Sequence, residues 1–309
     1  MLTYFLKRAF ALIPLLLGIT FLAFLLLKSL PGDPALSLVG ERASPEVLEQ
    51  IRNDIGTDKP FVVQYVGYLN MLLKGQMGSS YFTKRQVFDE IVRKFPNTFR
   101  LALAAMVLAV PLGIVLGFVS ALRQGKSVDR LVSALSVTGL SVPVFWSGLM
   151  IMLVFSLYLK LVPPSGTGGF RFLLLPALTL SLPALATIVR ITRTSVADIV
   201  SLPFITTARA KGLGYRRIYA VHVLRNVIIP VVTVAGLEFG SYLNGAVLTE
   251  TIFSWDGIGR FTMEGIIKRD YPVIMGCIIT GTVVFVLINL LIDVIYHYLD
   301  PRIRLHETR

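Results

Sequence analysis

One acidic residue stands in the middle of a long apolar stretch of this sequence. Glu238 lies within an apolar run from Val227 to Leu248, with Asn244 and Glu250 further along. An ionisable residue inside a membrane is costly and by default marks an ion or substrate path, although a polar side chain facing the bundle interior meets the same cost. Both interpretations stay open for Glu238. The candidate path-lining residues are Ser141, Glu238, Asn244 and Glu250.

Other residues that could do chemistry are too few or wrongly spaced. One acid in mid-membrane cannot form a proton relay of paired groups, nor the two facing carboxylates of an intramembrane aspartyl protease. Gly125-Lys126-Ser127 resembles the end of a phosphate-binding loop, but Ser120 stands where that motif needs a glycine. The three histidines are scattered, and the one cysteine, Cys277, cannot form an internal disulfide or a thiolate cluster. We therefore predict no catalytic residue, no metal site and no cofactor in this chain.

A basic loop from 190 to 226 is the best candidate for an interaction site. It reads as two short helices, the first from Phe204 to Lys211 with small side chains that a partner can approach closely, closed by Gly212. The second starts at Tyr215 and carries an apolar, aromatic face, as membrane-surface helices do. Docking of a soluble partner and binding of anionic lipid explain the loop equally well.

Six apolar runs are long enough to cross a membrane. Each approaches or exceeds the roughly 20 residues that span the hydrocarbon core. Only 16% of the 309 residues are charged, below the roughly 25% of soluble domains. The predicted fold is an all-α integral membrane protein of about six transmembrane helices. The runs are Ala9 to Leu27, Leu101 to Leu122, Leu131 to Leu159, Phe172 to Val189, Val227 to Leu248 and Val273 to Ile295.

The segment between the first two runs has helical signals of its own. Ser44 and Pro45 form the start of a helix that Gly56 ends. A second helix is expected from Val62 to Leu73 and a third from Gln86 to Phe95. The predicted parts are an N-terminal transmembrane helix (1–30), a helical extracytoplasmic segment (31–98) and a membrane-embedded core (99–309) that contains the loop 190–226.

Charge sets the predicted orientation. Basic residues concentrate in the segments that are cytoplasmic if the N-terminus is inside, which places both termini in the cytoplasm. The net charge of +12 follows from this bias, so no nucleic acid is expected as a partner. The residues concerned are Lys7, Arg8, Arg123, Lys126, Arg130, Arg190, Arg193, Arg209, Lys211, Arg216, Arg217, Arg225, Arg302, Arg304 and Arg309.

The loop resembles the coupling-loop motif of binding-protein-dependent ABC importer permeases. That motif often begins Glu-Ala-Ala, with a glycine four residues after the last alanine. Thr206-Thr207-Ala208 and Gly212 take the matching positions here, without the glutamate. The missing glutamate and the long distance from Gly212 to Pro230 look like the peptide/nickel branch of the family. The resemblance implies that Thr206, Thr207, Ala208, Arg209, Ala210, Lys211 and Gly212 dock an ATPase.

The resemblance extends over nearly the whole chain. The ordered set of short motifs looks like the first, or B-type, dipeptide/oligopeptide permease subunit. One departure is Asp256, where the family often has proline. The motifs are Met1 to Arg8, Pro31 to Pro34, Ile55 to Pro60, Gln64-Tyr65, Gly75 to Ser79, Ser141 to Phe145, Leu175 to Leu180, Glu250 to Phe253, Arg269 to Pro272 and Asp300 to Arg304.

Membership of that family implies a type I ABC importer permease in a prokaryotic inner membrane, embedded in the lipid bilayer. It implies a second, C-type permease subunit, two cytoplasmic ATPases that carry ATP and Mg, and an extracytoplasmic binding protein. The implied cargo is di- or oligopeptides, with nickel or another small solute as the alternative. A secondary transporter or a membrane enzyme is disfavoured by the missing charges and catalytic sets.

Overall fold

The structure is a computed structural model that describes residues 2–29, 32–40 and 43–299. Met1, Pro31 and the motif from Asp300 to Arg304 lie outside the described residues. Within that part of the chain the fold is helical, with one isolated antiparallel bridge between Ser79 and Gln86. The helices are α1 (Leu2–Ser29), α2 (Pro34–Val39), α3 (Pro45–Ile55), α4 (Phe61–Leu73), α5 (Val87–Leu122), α6 (Ser127–Ser141), α7 (Val144–Met152), α8 (Phe170–Val200), α9 (Pro203–Ala210), α10 (Tyr215–Arg217), α11 (Leu224–Leu243), α12 (Val247–Ile252), α13 (Ile258–Lys268) and α14 (Tyr271–Leu299).

Five stretches of helix are long and apolar enough to cross a membrane, and a bent pair makes up to six. The bent pair is α6 with α7 and its π-helical continuation Leu153–Tyr158, and it turns by 102°. The cause is Pro143, which has no backbone N–H and pushes the preceding residue, Val142, to an extended conformation. The six predicted runs are therefore largely helical, but the third is broken at its middle, and in the fifth the helix ends at Leu243.

Helix α5 joins two elements that the sequence predicts as separate. The expected separate helix from Gln86 to Phe95 and the span that starts at Leu101 are one continuous helix, which runs through Pro96. The turn after Pro96 is held from outside: the Asn97 amide donates to the Asp256 carbonyl over 2.8 Å, and the Trp255 indole donates to the Asn97 carbonyl over 3.0 Å. The predicted domain boundary at residue 98 therefore falls inside a helix.

The loop 190–226 is shorter than predicted. Its first residues, 190–200, continue α8, and only α9 stands apart as a short helix. The second expected helix, from Tyr215, is joined through the π-helical stretch Ile218–Val223 to α11, so that 215–243 is one candidate span. Sequence periodicity could not show this, because an amphipathic surface helix and the polar end of a span look alike.

Helices α3 and α4 form close to their predicted bounds, and α4 packs against the first candidate span. Ser44 caps α3 by accepting from the Val47 N–H, and Gly56 ends it with φ +70°. Helix α4 packs along α1: the Tyr65 hydroxyl lies 3.2 Å from the Thr20 hydroxyl and donates to the Leu17 carbonyl over 3.1 Å. Since both partners lie inside the first candidate span, α4 runs beside that span to its middle.

The core is built on the close approach of α5 and α8. A Cβ placed on Gly113 would lie 2.6 Å from Ile188 Cγ2, and one on Gly117 would lie 2.5 Å from Thr192 Cβ. Small residues at such positions let two helix backbones pack tightly in a membrane. Helix α11 completes this core through Val227, Val231 and Leu243.

Candidate coupling loop and transport path

Helix α9 is a short, exposed helix at the end of α8. Pro203 opens it at the first helical position, where its missing N–H costs nothing. Gly212 follows with φ +73°, a conformation that glycine adopts without a Cβ clash. The Leu213 N–H returns to the Ala208 carbonyl over 3.2 Å, which closes the turn.

The two faces of α9 have different roles. Thr206, Thr207, Arg209, Ala210 and Lys211 are exposed, as is Gly212, so a partner can reach them. Ala208 is only 7% exposed and packs in the core cluster with Ile205, Ile218 and Tyr219. The expectation that the Ala208 side chain faces a partner is therefore wrong, because that side chain holds α9 on its own chain.

An aromatic contact anchors the loop to the core. The Tyr215 and Tyr219 hydroxyls are hydrogen-bonded at 3.0 Å, and their rings lie 4.5 Å apart. Tyr219 also meets Phe118 of α5 edge to face, with ring centroids 6.4 Å apart. Because α9 packs against Tyr219, a displacement of α9 would also move the residue that contacts the C-terminal part of α5.

An ion pair between a buried aspartate and a half-buried arginine, missed by the sequence analysis, lies close to this loop. Asp129 of α6 accepts from Arg193 of α8 twice, at 2.6 and 3.0 Å, and from the Ser120 hydroxyl at 2.6 Å. The Gly125 N–H adds a fourth bond at 2.8 Å. This network, called here the inner joint, ties the α5–α6 turn to the part of α8 that leads into α9. No sequence signal marks it, because Asp129 and Arg193 lie 64 residues apart.

Glu250 is enclosed and does not line a path. Its side chain is fully buried; Oε1 accepts from the Thr98 hydroxyl at 2.8 Å and Oε2 from the Arg260 N–H at 2.9 Å. Thr98 in turn accepts from the Ile258 N–H at 2.9 Å. Burial raises the pKa of the Glu250 carboxyl above its usual range, against the opposing effect of these donors. Glu250 therefore holds the α12–α13 segment on α5, and the expectation that it lines the path is wrong.

The other three candidate path residues are at least partly accessible, and each has different neighbours. Ser141 is exposed at the end of α6, and its hydroxyl donates to the Val137 carbonyl at 2.9 Å. Asn244 is exposed and lines a cleft of about 500 Å³ between α1, α11 and α14. Glu238 is half-buried between α11 and α8, beside Tyr242 and Thr187.

In the described part of the chain, no three His, Cys, Asp or Glu side chains come together as a possible metal site. Cys277 is buried and forms no disulfide. The exposed helix α9 is joined directly to the bundle of candidate spans.

The comparisons with known proteins agree with this arrangement. Residues 109–305 match the family model of the binding-protein-dependent transport system inner membrane component, and residues 1–102 match its N-terminal model. The chain is 38% identical to the di/tripeptide permease DppB of Pseudomonas aeruginosa and to the dipeptide permease DppB of Escherichia coli, over 98% of this chain and 99% of each relative. It is 41% identical, with the same coverage, to the glutathione permease GsiC of Pectobacterium atrosepticum.

A solved structure has the same fold. The inward-facing methionine ABC transporter MetNI matches 68% of this chain and 96% of its own, with a TM-score of 0.59 and 16% identity. The bundle of spans and the nearly full-length family match lead to one conclusion: the chain belongs to the family of binding-protein-dependent transport system inner membrane components, the permease subunits of ABC importers.

Proposed function

We propose that this chain forms half of the translocation path of an ATP-driven, binding-protein-dependent importer of di- or oligopeptides. The observation that carries the proposal is the alignment, end to end, with permeases named for dipeptides, tripeptides and glutathione. All three cargoes are small peptides. Nickel or another small solute is the second candidate.

The partners follow from the family. A second, C-type permease subunit completes the path, two cytoplasmic ATPases bind ATP and Mg, and an extracytoplasmic binding protein delivers the peptide. The ATPases dock on the exposed face of α9, which presents Thr206, Thr207, Arg209, Ala210, Lys211 and Gly212. Small side chains there allow a close approach, and Arg209 and Lys211 add charge-assisted hydrogen bonds.

The cargo is tested by uptake in proteoliposomes that hold the complete complex and its binding protein. We expect ATP-dependent accumulation of radiolabelled dipeptides and tripeptides, and no accumulation of Ni²⁺. Uptake of Ni²⁺ in the absence of peptide uptake would reject the peptide assignment in favour of the second candidate.

The docking role of α9 is tested by Ala210→Trp. This residue is exposed, so the bulky ring clashes with a docked ATPase and leaves the chain's own packing intact. We expect an assembled permease pair that loses co-purifying ATPase and peptide uptake. Ala210→Ser, which keeps a small side chain at the same exposed position, is the matched control. Normal uptake by the Ala210 variant would assign α9 to the lipid surface.

Orientation has its own experiment. We propose that both termini are cytoplasmic in the inner membrane, on the charge bias of the loops. In a Cys277→Ala background, cysteine at position 165 should react with an impermeant thiol reagent in intact cells, and cysteine at position 308 should not. The reverse pattern would overturn the orientation.

A further inference from the structure

Most of α8 is covered by neighbouring helices, but one stripe is open. Ile188 faces α5 at Gly113, and Ala186 faces α6 at Gly139. The open stripe is polar: its members are spaced three or four residues apart, which puts them on one face of the helix. They are Thr187, which is half-buried, and Arg190, Thr194 and Asp198, which are exposed or half-buried.

The character of this stripe excludes contact with lipid tails. The exposed positions of α5 are apolar, as a lipid-facing surface requires: Leu112, Val115, Leu116, Val119 and Leu122. The α8 stripe instead carries hydroxyls and charges. Thr187 lies within the predicted span, where a polar side chain faces a bundle interior or a watery cavity, and the three exposed members follow beyond Val189. The stripe continues to the end of α8, where α9 begins.

Glu238 of α11 places a carboxylate next to Thr187, the first residue of this stripe. Gly236 and Gly240 of α11 pack against Ile292 and Ile288 of α14. Glu238 lies between these glycines in sequence, so its side chain points away from α14. It meets α8 at Thr187.

Glu238 has hydroxyl partners but no cation. Its carboxylate meets the Thr187 and Tyr242 hydroxyls. Each hydroxyl also lies near a backbone carbonyl, that of Pro183 at 2.9 Å and that of Leu180 at 3.0 Å, and a hydroxyl has a single proton to share between such acceptors. Among the residues that the structure describes, no lysine, arginine or histidine forms an ion pair with Glu238.

We propose that Glu238 and the α8 stripe line the transport path and that Glu238 binds the ammonium group of a basic side chain of the transported peptide. Such a group brings three N–H donors and the positive charge that this carboxylate lacks. The path then favours peptides of net positive charge over those of net negative charge. This proposal rests on the proposed peptide-import function.

Paired uptake assays test the selectivity. In proteoliposomes with the complete complex, uptake of Lys-Ala and of Asp-Ala is measured side by side for the wild type and for Glu238→Gln. We expect the ratio of Lys-Ala to Asp-Ala uptake to fall about tenfold in this variant, equivalent to about 1.4 kcal/mol. Glu238→Asp keeps the charge and should retain most of the ratio. Glu264→Gln, an exposed acid on α13, should leave it unchanged.

Water access is the second measurement. In a Cys277→Ala background, Glu238→Cys should react with a water-soluble cationic methanethiosulfonate, and saturating dipeptide should slow the reaction.

Three outcomes overturn the proposal. An equal loss of both peptides in Glu238→Gln makes the residue structural. Loss of the second permease subunit from the purified complex assigns Glu238 to the subunit interface, as does a Glu238→Cys variant that fails to react with the reagent. A wild-type complex that imports neither peptide rejects the proposed function and this site with it, and is recognised because the failure precedes any substitution.

Discussion

Two buried carboxylates tie distant helices together in different ways. In the inner joint, Asp129 is bound by a guanidinium through two hydrogen bonds and by two neutral donors. On the other side of the molecule, Glu250 is bound by a hydroxyl and a backbone N–H, without direct contact to a cation. The nearest ion pair there joins Lys94 to Asp256, whose side chain is 36% exposed.

The difference indicates which contacts hold and which can open. A bidentate charged pair in a buried site is costly to break, since either partner alone is left charged and unpaired. The donors to Glu250 are neutral groups. When such a donor exchanges a protein acceptor for water, the net change in free energy is small. We therefore expect the inner joint to move α6 and α8 as one unit, and the outer segment α12–α13 to separate from α5 more readily.

Removal of the guanidinium should have the largest effect. Arg193→Ala leaves Asp129 buried with its charge uncompensated, and we expect a loss of about 3–5 kcal/mol in stability. Thermal unfolding of the purified permease pair measures it. Arg130→Ala, an exposed arginine next to Asp129, is the control and should shift stability by less than about 0.5 kcal/mol. If Arg193→Ala and Arg130→Ala lower stability equally little, the Asp129–Arg193 pair does not hold α6 and α8 together more firmly than Glu250 holds its own segment.

Removal of the charge at Glu250 should have an intermediate effect. Glu250→Gln keeps the shape but turns an NH₂ group toward the Arg260 N–H or the Thr98 hydroxyl, so one buried donor loses its acceptor. We expect a cost of about 1–3 kcal/mol in the same unfolding assay. Glu264→Gln serves as the exposed control. A cost as large as that of Arg193→Ala would mean that the outer site is as rigid as the inner one.

Removal of the outer ion pair should have the smallest effect. Asp256→Asn removes the more exposed charge of this pair. The buried Lys94 ammonium keeps an amide oxygen as acceptor and its position over the Phe261 ring, so we expect about 0–1 kcal/mol. The Asn97 amide still binds the backbone carbonyl of residue 256, so the loop keeps its position. If Asp256→Asn instead lowers stability as much as Arg193→Ala does, then the Lys94 contact holds the α12–α13 segment on α5, and the two sites do not differ as proposed.

Local signals predicted the parts of the fold that depend on local chemistry. Ser44, Pro45 and Gly56 bound α3 as expected, because caps and left-handed glycines act within one helical turn. The exposed side of α9 was also predicted. The burial of the Ala208 side chain was not predicted. It depends on packing against Ile218 and Tyr219, which the sequence of a short helix does not specify.

Predictions failed where distant residues decide. Pro96 suggested a break in α5, but contacts from Trp255 and Asp256 hold the helix there. Glu250 read as a membrane acid, yet Thr98, 152 residues earlier, encloses it. The Asp129–Arg193 pair has no local pattern at all, since each residue alone looks like an ordinary charge near the end of a span.

The packing of α4 along α1 has a consequence for biogenesis. The strand-like segment after α4 is fastened by Asp270, which accepts from the Ser80 hydroxyl at 2.6 Å and the Tyr81 N–H at 3.1 Å, some 190 residues later in the chain. Tyr271 adds a bond to the Leu27 carbonyl at 3.1 Å. At 5–20 residues per second, the ribosome needs about 10–40 s to make the intervening chain. The segment after α4 therefore lacks these contacts until residues 270 and 271 have been made, and during that interval it is more open to proteases than in the folded protein.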